Sequence, residues 1–520
     1  MSEAATGAVG TPDDATRAPL AGARGGAVRG AGRAGGASAW AAWWPLIALT
    51  TLAAVLRLAT LGSQSLWYDE AFTAVHVLRG GLGATLRNVA HSENTPPLWY
   101  ALEWGVWRAL GGGAVALRLL SALAGIATVP VAWAIGGELA GRRAAIVTAA
   151  LVASCPLLVW YSQEARAYGL FVLTASLALL CFLRALRSPT GGRLAAFALA
   201  ASLALLSHYF AVFLLIPMIL WLIWSHGARA SLAGAVPVIV GAALIPLILA
   251  QGGHGTQWIG EWAFTSRLEA IPQYYLTGYT GSALGHGVEL LVALVVFAGV
   301  AYGLWRALTP REERGALIAL AVAGGGVAIP IALAVLGADY LAPRNLVAAM
   351  VPVSALLAIV IAARRTGRAG MALAGLLVVA FLALTIDVSL SPRLQRGDWA
   401  GLAKLLRSSR SPSARAIVTV ELGTSPLEYY LPPLRVLARG SSVRVREVDE
   451  TGYAPLRKSA GAAPAPGFHL SEHSDVHGLI VYRFTSSVPV TISEQALREH
   501  TITLVPHPEV LVPSMSGKTA

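Results

Sequence analysis

The sequence predicts a polytopic α-helical membrane protein of about eleven spans, with a C-terminal extracytoplasmic α/β domain. Three observations lead there. Of 520 residues, 56% are hydrophobic and only 13% charged. Apolar runs of about 20 residues, the length that crosses a ~30 Å hydrocarbon core as a helix, recur as far as residue 390. Beyond residue 391 the pattern changes to short stretches that read as strands. A purely soluble enzyme, a disordered chain and a disulfide scaffold are thereby excluded. Cys155 and Cys181, the only cysteines, both fall in apolar runs and supply neither a disulfide framework nor a CxxC ligand set. The net charge of +12 reflects arginines in short loops, which is a matter of topology rather than of nucleic-acid binding.

Residues 1–39 are Gly/Ala-rich without hydrophobic periodicity and read as a disordered cytoplasmic tail. The first span, 43–61, follows as an uncleaved anchor. Ten further spans are expected at 114–138, 144–161, 167–184, 194–207, 209–224, 231–251, 287–305, 315–337, 345–363 and 370–390. With the N-terminus inside, the cytoplasmic segments carry sixteen arginines and the longer outer loops, 62–113 and 252–286 among them, carry seven. The positive-inside rule favours that orientation in the cell membrane, and it puts the C-terminus outside. Tryptophans 40, 43, 44, 67, 160, 224, 258 and 305 stand at span ends, as an interfacial belt requires. Segment 392–510 is the soluble domain, with strands over Ala416–Val420, Val443–Val448 and Leu479–Phe484 and a helix over Ser425–Tyr430. Residues 454–467 form a loop and 511–520 a flexible tail.

Acidic residues gather on the outer side, which insertion does not require. Longer outer loops explain part of this; an outward-facing polar site explains all of it. Asp69 and Glu70 are adjacent a few residues past the first span, where two acids are costly unless hydrated or paired. One of two neighbouring carboxylates tends to a raised pKa, which suits a general base; an acidic first turn of a helix accounts for them equally well. In HSENTPPLWY (91–100), Pro96 and Pro97 hold His91, Glu93 and Asn94 in an extended stretch ahead of a new helix. Their spacing is not that of a metal motif, so no metal ligand is assigned, although a divalent cation stays open. In WYSQEARAYGL (160–170), Tyr161, Glu164 and Tyr168 share a face if the segment is helical, beside Gln163. Arg166 there, and Arg344 in DYLAPRN (339–345), offer the planar fork that matches a phosphate. For Arg166 the plain alternative is snorkelling or pairing with Glu164. His208 and Tyr209, between two spans, add hydrogen-bonding groups or simply structure.

Together these residues resemble the membrane glycosyltransferases of the GT-C superfamily, nearest the bacterial family 39-like group related to protein O-mannosyltransferases and lipid A aminoarabinose transferases. The resemblance covers about residues 43–400. It rests on Asp69-Glu70, HSENTPPLWY, YSQEARAYGL, YLAPRN (340–345) and RGDW (396–399). It implies a polyprenyl-phosphate sugar donor used at the outer face and a hydroxyl acceptor on a lipid, glycan or protein. Asp69 is then the base and Glu70 its motif partner. Arg166 and Arg344 bind the donor phosphate. His91, Asn94, Tyr161, Gln163, Glu164, Tyr168, His208 and Tyr209 line the substrate. Mannose is the sugar this resemblance favours, with a pentose next. No nucleotide-binding Gly-rich loop is apparent, and one base with cationic clamps suffices for a single displacement that inverts the anomeric carbon. Two readings compete. A transporter or flippase of lipid-linked sugars would show repeats and midplane charges, neither evident here. A non-enzymatic assembly or sensor protein would rest on the C-terminal domain alone.

Overall fold

The computed structural model describes residues 34–252, 256–281, 286–431 and 433–514. It falls into two units, 1–44 and 45–520, of which the first contributes only the opening turns of a helix. That helix, α1 (Ala34–Leu58), already includes residues 34–39, so the expected tail gives way to helix earlier than its sequence suggests; the rest of the tail lies outside the described residues.

The expected loop 62–113 is itself helical, containing α2 (Tyr68–Phe72), α3 (Leu82–Ser92) and α4 (Leu98–Leu110). Then come α5 (Ala114–Ala140), α6 (Arg142–Ser154), α7 (Pro156–Ser162), α8 (Tyr168–Arg187), α9 (Gly191–Ser207) and α10 (Ala211–His226). They are followed by α11 (Ala228–Ala243), α12 (Ile245–Gln251), α13 (Gln257–Glu261) and α14 (Phe264–Thr277). The last three long helices are α15 (His286–Trp305), α16 (Pro310–Val335) and α18 (Gly367–Leu390), with α17 (Met350–Ile361) continuing a 3-10 turn over Pro343–Ala349. Every expected span coincides with a helix or helix pair. By length and composition seven of the described helices can cross a membrane, or eight if the bent pair α6–α7 is one span, and three more are shorter apolar helices.

The bend between α6 and α7 is 56°. Pro156 causes it: lacking an N–H, it leaves the Val152 carbonyl without its helical donor. Arg57, buried at the end of α1, fills the gap. It donates to the carbonyl oxygens of Val152 (3.2 Å) and Ala153 (3.0 Å) and to Ser162 Oγ (3.2 Å). Gly125 of α5 makes room, since a Cβ there would lie 2.9 Å from Arg57 Nε and closer still to Ser162. A charge that looks misplaced in an apolar run is thus the patch for a broken helix.

The two ends of the helices differ in what they hold. At one end, Arg311 reaches the Gly137 carbonyl, Arg143 those of Ala363 and Arg364, and Arg306 that of Arg365. At the other end α2 packs against the C-terminal domain, and α7 and the 3-10 turn share a cavity with it. That domain holds α19 (Trp399–Leu406), β1 (Arg415–Val420), α20 (Thr424–Tyr430), β2 (Leu434–Val436), β3 (Ser442–Gly452), β4 (His469–Val476), β5 (Leu479–Ser493), α21 (Glu494–Glu499) and β6 (Pro508–Pro513). Its mixed sheet has the order β2-β6-β1-β3-β5-β4, with only β1 and β3 parallel. α19 and α20 cover one face through Trp399, Leu402 and Leu427, and α21 packs on the other through Leu497. The expected tail therefore begins inside β6; residues 515–520 lie outside the described residues.

Replacing Arg57 by Met leaves two carbonyls unpaired in a buried site, at ~1–3 kcal/mol each. The Arg57→Met variant is expected to insert but to lose thermal stability clearly in detergent, read as a lowered midpoint by size-exclusion chromatography after heating.

Candidate active site

Asp69 and Glu70, neighbours in sequence, do opposite things. Glu70 is completely buried and clasped by Arg118 of α5, whose Nε donates to Oε1 (2.7 Å) and Nη2 to Oε2 (2.6 Å). The Ala165 N–H also donates to Oε1 (2.8 Å). Arg118 binds the carbonyls of Leu61, Gln64 and Ser65 as well, so the pair sews the α1–α2 loop to α5 and to the α7–α8 loop. Burial opposes ionisation of Glu70, but Arg118 overrides it and holds the carboxyl below its ordinary range. Glu70, expected as a member of the catalytic pair, is spent on structure.

Asp69 faces elsewhere. Its Oδ2 lies 3.4 Å from Arg344 Nη1, and its side chain keeps 19% of its exposure. Arg344 packs over the Trp258 ring at 4.8 Å and lines two cavities at once. The first, of about 490 Å³, lies between the helix ends and the C-terminal domain; Trp67, Tyr68, Trp160, Glu164 and Arg396 are among its walls. The second, also about 490 Å³, runs among α9, α10, α11, α12 and α16, where Leu205, Val212, Leu244, Ile248 and Leu333 make it chiefly apolar. Asp69 lines neither; the residues around it do, Trp67 and Tyr68 in the chain and Arg344 in space. Arg267 braces the approach to Arg344: its two terminal nitrogens each lie 2.7 Å from an oxygen of Asp339, and it donates to the Leu341 carbonyl.

The other expected residues divide. Asn94, Tyr168, His208 and Tyr209 border the apolar cavity, and Tyr161 and Glu164 the polar one. Residues 163–167 are a tight non-helical turn, so the shared helical face expected for Tyr161, Glu164 and Tyr168 does not form; the two tyrosine rings nevertheless pack at 4.8 Å. Arg166 lines the apolar cavity, but its fork is occupied by Glu93 (2.9 and 2.8 Å) and Thr73, not by Glu164. Gln163 caps the end of α1 through the Leu56 and Arg57 carbonyls and Thr60. His91 is exposed in the last turn of α3, apart from both cavities. Among the described residues no three His, Cys, Asp or Glu side chains gather as a metal-ligating set.

Glu164 instead pairs with Arg396 (2.8 Å), which stacks on Trp160 at 4.4 Å. Burial pushes the Glu164 carboxyl up to about 7 despite that arginine. His208 goes the other way: burial first, then Arg344 and Arg166, lower it to about 3, so it is a neutral imidazole. Its Nδ1 accepts from the Phe210 N–H (3.2 Å), which leaves Nε2 as the donor. Two tryptophans expected in an interfacial belt, 67 and 160, are cavity walls. Sequence reasoning missed Arg118, whose signal was a charge inside an apolar run, and Tyr279 and His477, which carried none.

The C-terminal domain locks onto this end through the RGDW segment. Asp398 caps α19 at Gly401 and accepts from Ser65 Oγ (2.8 Å), which in turn accepts from the Ala400 N–H (3.0 Å). The Leu66 N–H donates to Tyr430 Oη (2.9 Å). The loop that presents Asp69 is thus held from both sides.

Residues 94–251 match the family model described as dolichyl-phosphate-mannose-protein mannosyltransferase. The match spans under a third of the chain. Two crystal structures of ArnT from Cupriavidus metallidurans, one bound to undecaprenyl phosphate and one apo, share the fold of this chain with TM-scores of 0.52 and 0.53. Each is 14% identical and covers 86% of this chain and 98% of its own. An oligosaccharyltransferase from Archaeoglobus fulgidus aligns more loosely, with a TM-score of 0.46 at 15% identity over 74% of this chain and 57% of its own. No curated protein matches the chain in sequence.

Removing one partner of a buried ion pair costs ~3–5 kcal/mol. Glu70→Gln is therefore expected to destabilise the protein severely, while Glu70→Leu with Arg118→Met recovers much of the thermal midpoint. The raised Glu164 carboxyl makes a second expectation. The unfolded chain releases that proton near the ordinary carboxyl range and the folded chain near 7, so stability falls as pH rises across that window. Thermal midpoints at pH 5 and pH 8 should show this fall, and Glu164→Gln should lessen it.

Proposed function

We propose that this chain is a GT-C glycosyltransferase that transfers a sugar from a polyprenyl-phosphate donor to a hydroxyl acceptor at the extracytoplasmic face, inverting the anomeric centre, with Asp69 as general base. One observation carries the reading: Arg344 touches Asp69 and borders both an apolar and a polar cavity. A lipid phosphate needs that combination. The prenyl chain takes the apolar cavity, the phosphate the guanidinium, and the sugar the polar side next to the base. In this reading the acceptor O–H loses its proton to Asp69 as its oxygen bonds to the anomeric carbon. The bond from that carbon to the phosphate oxygen breaks, and the polyprenyl phosphate leaves with its charge met by Arg344. A phosphate arriving at Arg344 competes with Asp69 for the guanidinium, so donor binding itself releases the base. His208 Nε2–H is a further donor on the apolar-cavity side.

Mannose is the favoured sugar because the matched family's description names it. A relative of the same fold, ArnT, has been crystallised with undecaprenyl phosphate, which favours a polyprenyl carrier. The arginines at the opposite helix ends favour an extracytoplasmic site and C-terminal domain, with the N-terminus inside. Arg166, held by Glu93, serves as a brace for the phosphate site, and Glu70 as the positioning residue of Asp69.

The test is transfer from synthetic polyprenyl-phosphate mannose in detergent, where no second compartment exists for a flippase to serve. Asp69→Asn is expected to lower kcat by ~10²–10⁴, the usual worth of a general base, with an unchanged thermal midpoint. Arg344→Gln is expected to raise the donor KM and lower kcat together, by ~10²–10³ in kcat for a lost charge stabiliser. Full activity in the Asp69 variant would remove the mechanism.

A further inference from the structure

The polar cavity has a composition that the transfer reaction alone does not require. Its walls alternate ring faces with side chains that donate or accept. Trp160 and Tyr279 stack at 5.2 Å with planes 19° apart, and Tyr279 meets Tyr161 edge-on at 6.3 Å. Glu164, Thr280, Gln395 and Arg396 line the same cavity. The far wall belongs to the C-terminal domain: Tyr453 on one side, and His477 and Leu479 from the β4–β5 turn on the other. His477 adopts a left-handed backbone, φ 51°, and its Nδ1 lies 3.4 Å from Asp398, so that turn is tied to the RGDW segment.

Four residues of this wall carry a polar atom that is shielded from water and has no hydrogen-bond partner: Trp67 Nε1, Tyr161 Oη, Glu164 Oε1 and Thr280 Oγ1. Buried polar atoms are nearly always paired, so four exceptions around one cavity call for a cause. They include an obligate donor, a carboxylate oxygen and two hydroxyls that can do either. A peptide backbone, with its regular row of N–H and C=O groups, suits a strand edge instead. A sugar ring suits these walls. Its hydroxyls both donate and accept, and its C–H faces carry the slight positive charge that the negative face of an aromatic ring attracts.

We propose that the polar cavity binds the acceptor as a saccharide ring, stacked on the Tyr279 and Tyr453 side and hydrogen-bonded through Tyr161, Glu164 and Thr280. The proposal rests on the transferase reading above, and it names the acceptor class that reading leaves open. The donor, anchored at Arg344, enters from the apolar cavity, so the wall supplied by the C-terminal domain is left for the acceptor. The C-terminal domain is in this sense part of the acceptor site.

Two measurements on the full chain in detergent test it. The first is saturation-transfer-difference NMR without donor, with methyl mannoside, methyl glucoside and a serine/threonine peptide of similar mass as probes. Saccharide signals are expected and peptide signals are not. Tyr279→Leu, Tyr453→Leu and Thr280→Val should each weaken the saccharide signals. The second is transfer from polyprenyl-phosphate mannose to saccharide acceptors. There each variant should raise the acceptor KM about 10-fold, a loss of about 1.4 kcal/mol, and leave the donor KM in place. Equal saccharide signals in wild type and variants, preference for the peptide, or a shift of the donor KM instead would each overturn the saccharide pocket. Saccharide binding with no transfer from any lipid-phosphate sugar would overturn the transferase reading and leave the pocket standing.

Discussion

A guanidinium and a carboxylate with almost no access to water hold this molecule's working end together. Arg118 and Glu70 meet fork to fork between α5 and α2, and each also binds backbone of a different loop. A pair so completely desolvated contributes little net stability against an apolar substitute, yet it tolerates no slack, since a lone buried charge is far worse. What it fixes is direction. With Glu70 pinned inward, helical geometry turns the side chain of Asp69 about 100° away, toward Arg344. Adjacent acids thus become one buried anchor and one partly exposed carboxylate held at longer range by Arg344.

A second constraint comes from the broken helix. Continuing α6 past Cys155 would carry Trp160 and Tyr161 along a straight path, whereas the Pro156 break swings them under the C-terminal domain. Arg57 compensates the carbonyls that the break strands. The same logic governs the far side, where Arg267 and Asp339 steady the chain just ahead of Arg344. In each case a charge near the bilayer edge is matched to backbone or to an opposite charge, because an unpaired one there is costly. The site is therefore surrounded by arginines, of which Arg344 meets its carboxylate at the longest distance, 3.4 Å against 2.6–2.9 Å for Arg118, Arg166 and Arg267.

The C-terminal domain is tied to the helical part by specific contacts rather than merely appended to it. Across the joint Ser65 Oγ donates to Asp398 and accepts from the Ala400 N–H, and Tyr430 and Tyr429 add two more contacts, to the Leu66 N–H and the Gly112 carbonyl. Since Ser65 and Leu66 lead directly into Asp69, the position of that carboxylate and the position of the domain are not independent. A cavity that depends on both halves is a natural place for specificity to be set.

Hydrophobic run length sufficed to read the helices, because bilayer thickness imposes it residue by residue, and the change to strand-like patterning beyond residue 391 marked the C-terminal sheet domain. Asp69, Glu164, Tyr161 and Arg344 were legible for a related reason: polar groups so near hydrocarbon need a purpose. Pairing was not legible. Nothing local told that Glu70 would meet Arg118, 48 positions on, that Arg166 would choose Glu93 over Glu164, or that Gln163 would cap a helix rather than face a ligand. His91 looked as well placed as Asn94 and proved to be on the surface. Partner choice depends on which helix ends arrive at the same point, and that is decided by packing over long separations in the chain. The sequence by itself determined which groups must find partners; only the tertiary structure decided which of them did, and so which were left for chemistry.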